Sequence, residues 1–318
     1  MTASIKSVNY HHQLSGRDFL TLADYTTDEI NYLLELASYL KKQHKSGKSE
    51  QPLKGKTLGM IFEKSSTRTR VSFEVGIYQL GGTGLFLSSD DIQIGRGEPI
   101  SDTAKVLSSY LDGIMIRTYS QAVVEELAAN ASIPVINGLT DMYHPCQVLA
   151  DMQTILEEKG TLKGVNVAYI GDGNNMAHSL MMGSAKMGMN ISIAAPKGYQ
   201  PDPAITERSR SFAQGNKIVV TEDPAEAAKN ADVIYTDVWA SMGQETEQEK
   251  RVKAFKEYQV NNELLGYAKK DVTFMHCLPA HRGEEVAADV IDGKHSVVFQ
   301  QAENRLHAQK ALMTALMG

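Results

Sequence analysis

The chain is poor in cysteine. Only Cys146 and Cys277 occur among 318 residues, which excludes a disulfide framework. It also lacks a long apolar run, since nothing approaches the roughly 20 residues that a membrane-crossing helix needs. The opening residues, Met1-Thr2-Ala3-Ser4-Ile5-Lys6, have no apolar segment of the signal-peptide kind. A reducing cytoplasm is the expected location. No repeat or low-complexity tract is visible. Positive charge is scarce too. Lys and Arg total 32 against 38 Asp and Glu, a formal charge of −6. That argues against nucleic acid or an anionic membrane surface as the main partner. An anion site must therefore be a local gathering of cations in a mildly acidic protein.

What is present is ordinary for a globular chain: 42% hydrophobic and 22% charged residues, at a length that suggests two domains. Residues 1–16 read as a polar arm, with His11-His12 a solvated pair. Thr26 and Glu29 have capping-box spacing, and Ile30, Leu33, Leu34, Ala37 and Leu40 follow at helical intervals. They predict a long amphipathic helix ending near Lys45-Ser46-Gly47. Thr57–Phe62 reads as a buried strand, and Val71–Leu80 as a helix stopped by Gly81-Gly82. Between them lies Lys64-Ser65-Ser66-Thr67-Arg68-Thr69-Arg70. The first turn of a helix offers unpaired N–H groups and the positive end of a dipole, which suits a bound phosphate. Here the turn adds the hydroxyls of Ser66, Thr67 and Thr69, the guanidiniums of Arg68 and Arg70, and the Lys64 ammonium.

Alternation continues down the chain. Gly84–Leu87 is a strand, and Asp90–Glu98 a polar, glycine-rich loop that suits a ligand or subunit contact. Residues 101–111 read as a helix. Gly113–Arg117 is an apolar strand ending in a cation. A charge there is costly unless it meets an anion, and the carboxyl edge is where open α/β sheets bind ligands. Ile133–Ile136 is a short strand. Tyr143-His144-Pro145-Cys146-Gln147 then opens a helix over Val148–Glu158. Pro145 fits a first helical position, and His144 and Gln147, three apart, face one way. Strands at Asn166–Ile170, Ile191–Ala195, Ile218–Val220, Val233–Thr236 and Val272–Met275 recur with helices between them. The doubled βαβα pattern predicts an α/β protein of two parallel-sheet domains. Glu303–Met317 reads as a helix returning to the N-terminal domain, where Arg305 would reach the anion. The expected domains are 1–147 with 302–318, and 148–301.

Two rival chemistries fit less well. Gly171-Asp172-Gly173-Asn174-Asn175 looks like a dinucleotide turn, but the spacing is not Gly-x-Gly-x-x-Gly. Asn174 and Met176 stand where the backbone would have to approach a pyrophosphate. His144, Cys146, His276 and Cys277 invite zinc, yet neither Cys-x-x-Cys nor His-x-x-x-His spacing occurs. Adjacent His276 and Cys277 would also point to opposite faces of a strand. No metal is expected. Asp237 lies just past the strand Val233–Thr236 and before a Ser241-Met242-Gly243 loop, well placed to hold an ammonium group. His276-Cys277-Leu278-Pro279 falls on the same sheet edge.

Taken together, these motifs resemble the aspartate/ornithine carbamoyltransferase family, over about residues 18–316. Ser66-Thr67-Arg68-Thr69, Arg117 and His144-Pro145-Cys146-Gln147 match its carbamoyl-phosphate motifs. Asp237-x-x-x-Ser241-Met242-Gly243 and His276-Cys277-Leu278-Pro279 match the branch that takes ornithine. The resemblance implies transfer of the carbamoyl group of carbamoyl phosphate to the δ-amino group of L-ornithine, giving L-citrulline and phosphate. That would be a step of arginine biosynthesis or of the arginine deiminase pathway, and it requires no cofactor. It implies that Ser66, Thr67, Arg68, Thr69, Arg117, His144, Gln147 and Arg305 bind carbamoyl phosphate, with Cys277 and Leu278 closing that site. Gln93 would reach the ligand of a neighbouring copy in a homotrimer or a multimer of trimers. Asn175, Asp237, Ser241 and Met242 would hold ornithine. Arg117, His144, Asp237 and Cys277 would serve the chemistry.

Overall fold

The computed structural model describes residues 13–48, 50–89, 97–240 and 247–318. Gln93, Ser241 and Met242 of the expected site, and the His11-His12 pair, lie outside these residues. The chain divides into two compact units. One comprises the residues up to Gln153 together with Asn304–Gly318, and the other Thr154–Glu303.

In the first unit β1 (Thr57–Phe62), β2 (Thr83–Ser88), β3 (Gly113–Arg117) and β4 (Val135–Leu139) form a parallel sheet in the order β2-β1-β3-β4. In the second, β5 (Asn166–Ile170), β6 (Asn190–Ala194), β7 (Ile218–Thr221), β8 (Val233–Thr236) and β9 (Thr273–His276) form another in the order β7-β6-β5-β8-β9. Parallel strands are covered on both faces by crossover helices, so inner ones read as unbroken apolar runs. Every residue of the inner strands β3 and β8 is buried accordingly, whereas the edge strand β2 leaves Leu85 and Phe86 exposed. In each sheet the chain first steps outward from its opening strand, β1 or β5, and then returns to that strand's other side. The order reverses between β1 and β3, and between β5 and β8. Such a switch point opens a crevice beyond the carboxyl ends of the strands, where α/β sheets take their ligands.

The helices are α1 (Thr27–Lys45), α2 (Thr67–Gln79), α3 (Ile100–Ser108), α4 (Gln121–Asn130), α5 (Pro145–Lys159), α6 (Asn175–Met187), α7 (Pro203–Phe212), α8 (Pro224–Ala228), α9 (Gln248–Ala254), α10 (Asn262–Leu265), α11 (Ala288–Ile291) and α12 (Val298–Met317). The Thr26–Glu29 capping box opens α1, with both reciprocal bonds made. Sequence reading assigned nothing to α4, although Gln121, Val124 and Leu127 lie buried at helical spacing. Helix α3 stops at Ser108, short of the expected 111.

Helix α12 returns to the first unit, as its sequence suggested. Gly76 of α2 makes the close approach possible: a Cβ there would sit 2.9 Å from Met313 Cε and 3.3 Å from Lys310 Cγ. Lys310 Nζ donates to Gln79 Oε1 at 2.9 Å, and Lys41 Nζ to Asn304 Oδ1 at 2.7 Å. Among the described residues no helix is long and apolar enough to cross a membrane.

Candidate functional site

The first unit carries a buried cationic pocket at its switch point. Register pairs Phe62 of β1 with Arg117 of β3, and Arg117 with Leu139 of β4. The segments that follow β1 and β4 therefore emerge beside Arg117. Ser66 caps α2 by accepting from Thr69 N–H at 3.2 Å, which leaves its own O–H free to donate. One turn into the helix, Thr69 is buried, and its Oγ1 accepts from Arg117 Nη1 at 3.4 Å and Arg305 Nη2 at 3.2 Å. Arg305 Nη1 donates to Gln147 Oε1 at 2.6 Å. Gln147 is oriented in turn by Asp151, whose Oδ1 accepts from its Nε2 at 2.9 Å. With its amide turned to suit its neighbours, Gln309 Oε1 accepts from Arg305 Nε at 3.2 Å and Nη2 at 3.0 Å.

His144 lies among these cations. Burial, then the charges of Arg305, Arg117 and Arg68, push its imidazole far below the usual histidine value. It is a neutral ring in a cationic pocket, able to donate a hydrogen bond without carrying charge. The structure thus brings Thr69, Arg117, His144, Gln147 and Arg305 together, with the Arg68 charge acting on His144.

The other two cations of the motif do not join it. Lys64 is buried against Asp141 and sits 4.1 Å over the Tyr119 ring. Arg70 pairs with Glu74 and lies 3.8 Å over the Phe86 ring. Cys146 is fully buried; its thiol donates to Asn137 O at 3.3 Å and is pushed up to about 12 by burial. That thiol is inert. Asp151 and Gln309 were missed by sequence reading. Asp151 stands one turn after Gln147, and that spacing was the available signal.

The second unit carries an acid–thiol pair at its own switch point. Parallel register sets Thr236 beside His276, so the next residues, Asp237 and Cys277, emerge side by side. Cys277 Sγ donates to Asp237 Oδ1 at 2.9 Å. Val238 N donates to the same oxygen at 2.8 Å, and Asn174 Nδ2 to Oδ2 at 3.0 Å. Asn174 also caps α6, its Oδ1 accepting from Met176 N at 2.9 Å and Ala177 N at 3.3 Å. The first N–H groups of α6 are thereby committed, which removes the phosphate role of a dinucleotide turn. Gly173 has a different reason: a Cβ there would lie 2.2 Å from the Pro201 nitrogen. Asn175 is the first residue of α6, half-buried.

Strand β9 ends at His276, so strand alternation does not separate Cys277 from it. Ligand atoms of Asp237, His276 and Cys277 lie within 4.8 Å of one another. The His276 ring is nonetheless committed elsewhere. Its Nδ1 accepts from Leu278 N at 2.9 Å, so the proton sits on Nε2, which donates to buried Glu285 Oε1 at 3.0 Å. Leu278 holds a left-handed φ of 59°, a conformation that a branched residue keeps only where its surroundings impose it. Nearby, buried Asp172 pairs with Arg251 at 2.8 Å. Burial raises its carboxyl to about 6 against the pull of that guanidinium.

Two open parallel sheets, one with an arginine-lined oxyanion pocket and the other with a carboxylate beside a thiol, define a two-domain α/β enzyme for an anionic donor and an amine. Family models agree: residues 17–157 match the carbamoyl-P binding domain of aspartate/ornithine carbamoyltransferase, and residues 163–316 its Asp/Orn binding domain. The chain belongs to the aspartate/ornithine carbamoyltransferase family. It is 70% identical over 320 residues to an ornithine carbamoyltransferase of Oceanobacillus iheyensis, covering 100% of this chain and 99% of that protein. It is 61% identical to one from Bacillus subtilis, covering 96% and 95%. The solved ornithine carbamoyltransferase from Pyrococcus furiosus superposes with a TM-score of 0.94 at 57% identity, covering 96% of this chain and 98% of that one.

Proposed function

We propose that this chain transfers the carbamoyl group of carbamoyl phosphate to the δ-amino group of L-ornithine, giving L-citrulline and phosphate. The observation that carries this reading is full-length likeness, at 70% identity, to a protein named ornithine carbamoyltransferase. The arrangement of both half-sites supports it.

Carbamoyl phosphate is a dianionic mixed anhydride. Arg68, Arg117 and Arg305 neutralise its phosphate, and Ser66, Thr67 and Thr69 donate hydroxyls to it, in charge-assisted hydrogen bonds. Thr69, Arg117 and neutral His144 face the carbamoyl oxygen, which gains negative charge as the amine adds. Asp151 holds the NH2 of Gln147, so the Gln147 carbonyl accepts from the carbamoyl NH2. Loss of one such donor typically costs about 10²–10³ in rate.

Ornithine reacts as a free amine, although an alkylamine of its kind titrates near ~10.4. Asp237 and Cys277 accept its δ N–H groups and orient the lone pair toward the carbamoyl carbon. The C–N bond forms, the C–O bond to phosphate breaks, and the departing phosphate takes the proton that nitrogen loses. Asn175, Ser241 and Met242 hold the α-amino and α-carboxylate ends. The anhydride already activates the carbonyl, so no cofactor is required.

The assembly is a homotrimer or a multimer of trimers in the cytoplasm, with Gln93 reaching the neighbouring copy's carbamoyl phosphate. Support comes from the exposed apolar residues Val71, Val75 and Tyr78 of α2 beside Leu85 and Phe86 of β2. Light scattering at three chain masses or a multiple is expected; a monomer overturns it. The reaction is tested by citrulline formation from carbamoyl phosphate with a panel of amines. Ornithine-dependent product is expected, and its absence overturns the reading.

A further inference from the structure

We propose that Asn174 is a positioning residue of the acceptor site, holding the Asp237 carboxylate, and through it the Cys277 thiol, in the aim that receives the amine. This rests on the reading of Asp237 given above.

Asn174 Oδ1 collects three donors: Met176 N at 2.9 Å, Ala177 N at 3.3 Å and the Tyr169 hydroxyl at 3.1 Å. An NH2 group placed there would face the Met176 and Ala177 N–H donors, so the amide has one permitted orientation. That orientation turns Nδ2 toward Asp237 Oδ2, 3.0 Å away. The other carboxylate oxygen accepts from Val238 N at 2.8 Å and Cys277 Sγ at 2.9 Å. Tyr169, Asn174 and Cys277 thus form a network whose hydrogen bonds converge on Asp237, across β5, the start of α6, and the ends of β8 and β9. Tyr169 is fully buried and stacks on Tyr235 with ring centroids 5.9 Å apart. Burial, then the nearby Asp237 charge, keeps its phenol protonated, so it acts as a donor.

Among the described residues, the charged and titratable groups near Asp237 come from several elements. Tyr169 is on β5, Asp172 follows it and is paired with Arg251 of α9, His276 at the end of β9 is bonded to Glu285, and Cys277 follows. The one cation in this set, Arg251, is spent on Asp172 and on the Trp239 carbonyl at 2.9 Å. Among the described residues the donors to the Asp237 carboxylate are neutral, and Asn174 supplies the one on Oδ2.

Asn174→Asp is the discriminating variant. It keeps the cap, since Asp caps as well as Asn, and adds a second carboxylate against Asp237. The measurements are the pH profile of kcat/KM for ornithine and, by calorimetry, the affinity for carbamoyl phosphate. The acid limb is expected to move up by about one to two pH units, as for two carboxylates that share a site, with carbamoyl-phosphate affinity unchanged. Tyr169→Phe is expected to lower kcat/KM for ornithine by about 2- to 10-fold, the worth of one neutral hydrogen bond. It should do so without moving carbamoyl-phosphate affinity. An unmoved limb, or a uniform fall at every pH, overturns the positioning role. Full activity in Asp237→Asn overturns the reading of Asp237 beneath it, and the inference with it.

Discussion

Arg305 and His144 show how single residues work in the donor pocket. Arg305 meets Thr69 from 236 positions away and Gln147 from 158. Arg305→Ala is expected to lower kcat/KM for carbamoyl phosphate by about 10²–10³. Arg305→Lys should not rescue it, because an ammonium cannot reproduce the planar fork. Steady-state kinetics checks both. His144 makes a different prediction. Its folded value lies well below the ordinary 6.5, so below pH 6.5 the unfolded chain binds a proton that the folded chain refuses. Stability therefore falls as pH drops below 6.5, by at most about 1.4 kcal/mol per unit from this one group. Above 6.5 the contribution is flat. His144→Gln should make the acid side of a Tm-versus-pH curve shallower. On the proposed role of His144 as donor to the carbamoyl oxygen, it should also cut turnover.

Elements set where those residues stand. Both half-sites sit at switch points, and both depend on parallel register: Phe62 with Arg117, and Thr236 with His276. Sequence made this much readable, because a strand end followed by a short polar loop marks a sheet's carboxyl edge. The choice among neighbouring cations was not readable. Arg68, Lys64 and Arg70 share one motif, yet Lys64 goes to Asp141, which no spacing rule picks out, and Arg70 to Glu74, an i,i+4 neighbour that spacing offers without ranking it against a ligand. Packing of α12 on α2 offers a test at this scale. Met313 Cε is the flexible end of a side chain, so Gly76→Ala should be tolerated. Gly76→Val adds an isopropyl group at the crossing, two methyls beyond Ala, and is expected to destabilise by about 1–3 kcal/mol. Because α12 carries Arg305, carbamoyl-phosphate affinity should weaken with it. Chemical denaturation and calorimetry on the same variants check the pair of effects.

At the scale of the whole molecule, the chain leaves its first unit within α5 and returns to it within α12. The last residues finish the core of the first. Ala308, Ala311, Leu312, Met313, Ala315 and Leu316 are at most 1% exposed. Burying a large apolar side chain contributes about 1.5–3 kcal/mol, against a net stability of roughly 5–15 kcal/mol for a whole domain. Ending the chain at Glu303 is therefore expected to give insoluble protein or lose the cooperative unfolding transition, visible by circular dichroism. The second unit has its own buried core around Ile170, Ile234, Phe255 and Phe274.

Sequence by itself determined the α/β class, the strand-end positions of Arg117 and Asp237, and the contiguous motifs at Ser66–Thr69, His144–Gln147 and His276–Pro279. Each depends on periodicity and short spacing, which the local backbone translates directly into neighbouring side chains. Only the tertiary structure decided that Arg305 would reach Thr69 and Gln147, that Asn174 would face Asp237, and that Cys277 would donate to it. Those pairings are distances between segments far apart in the chain, and electrostatic and hydrogen-bond partners are chosen through space.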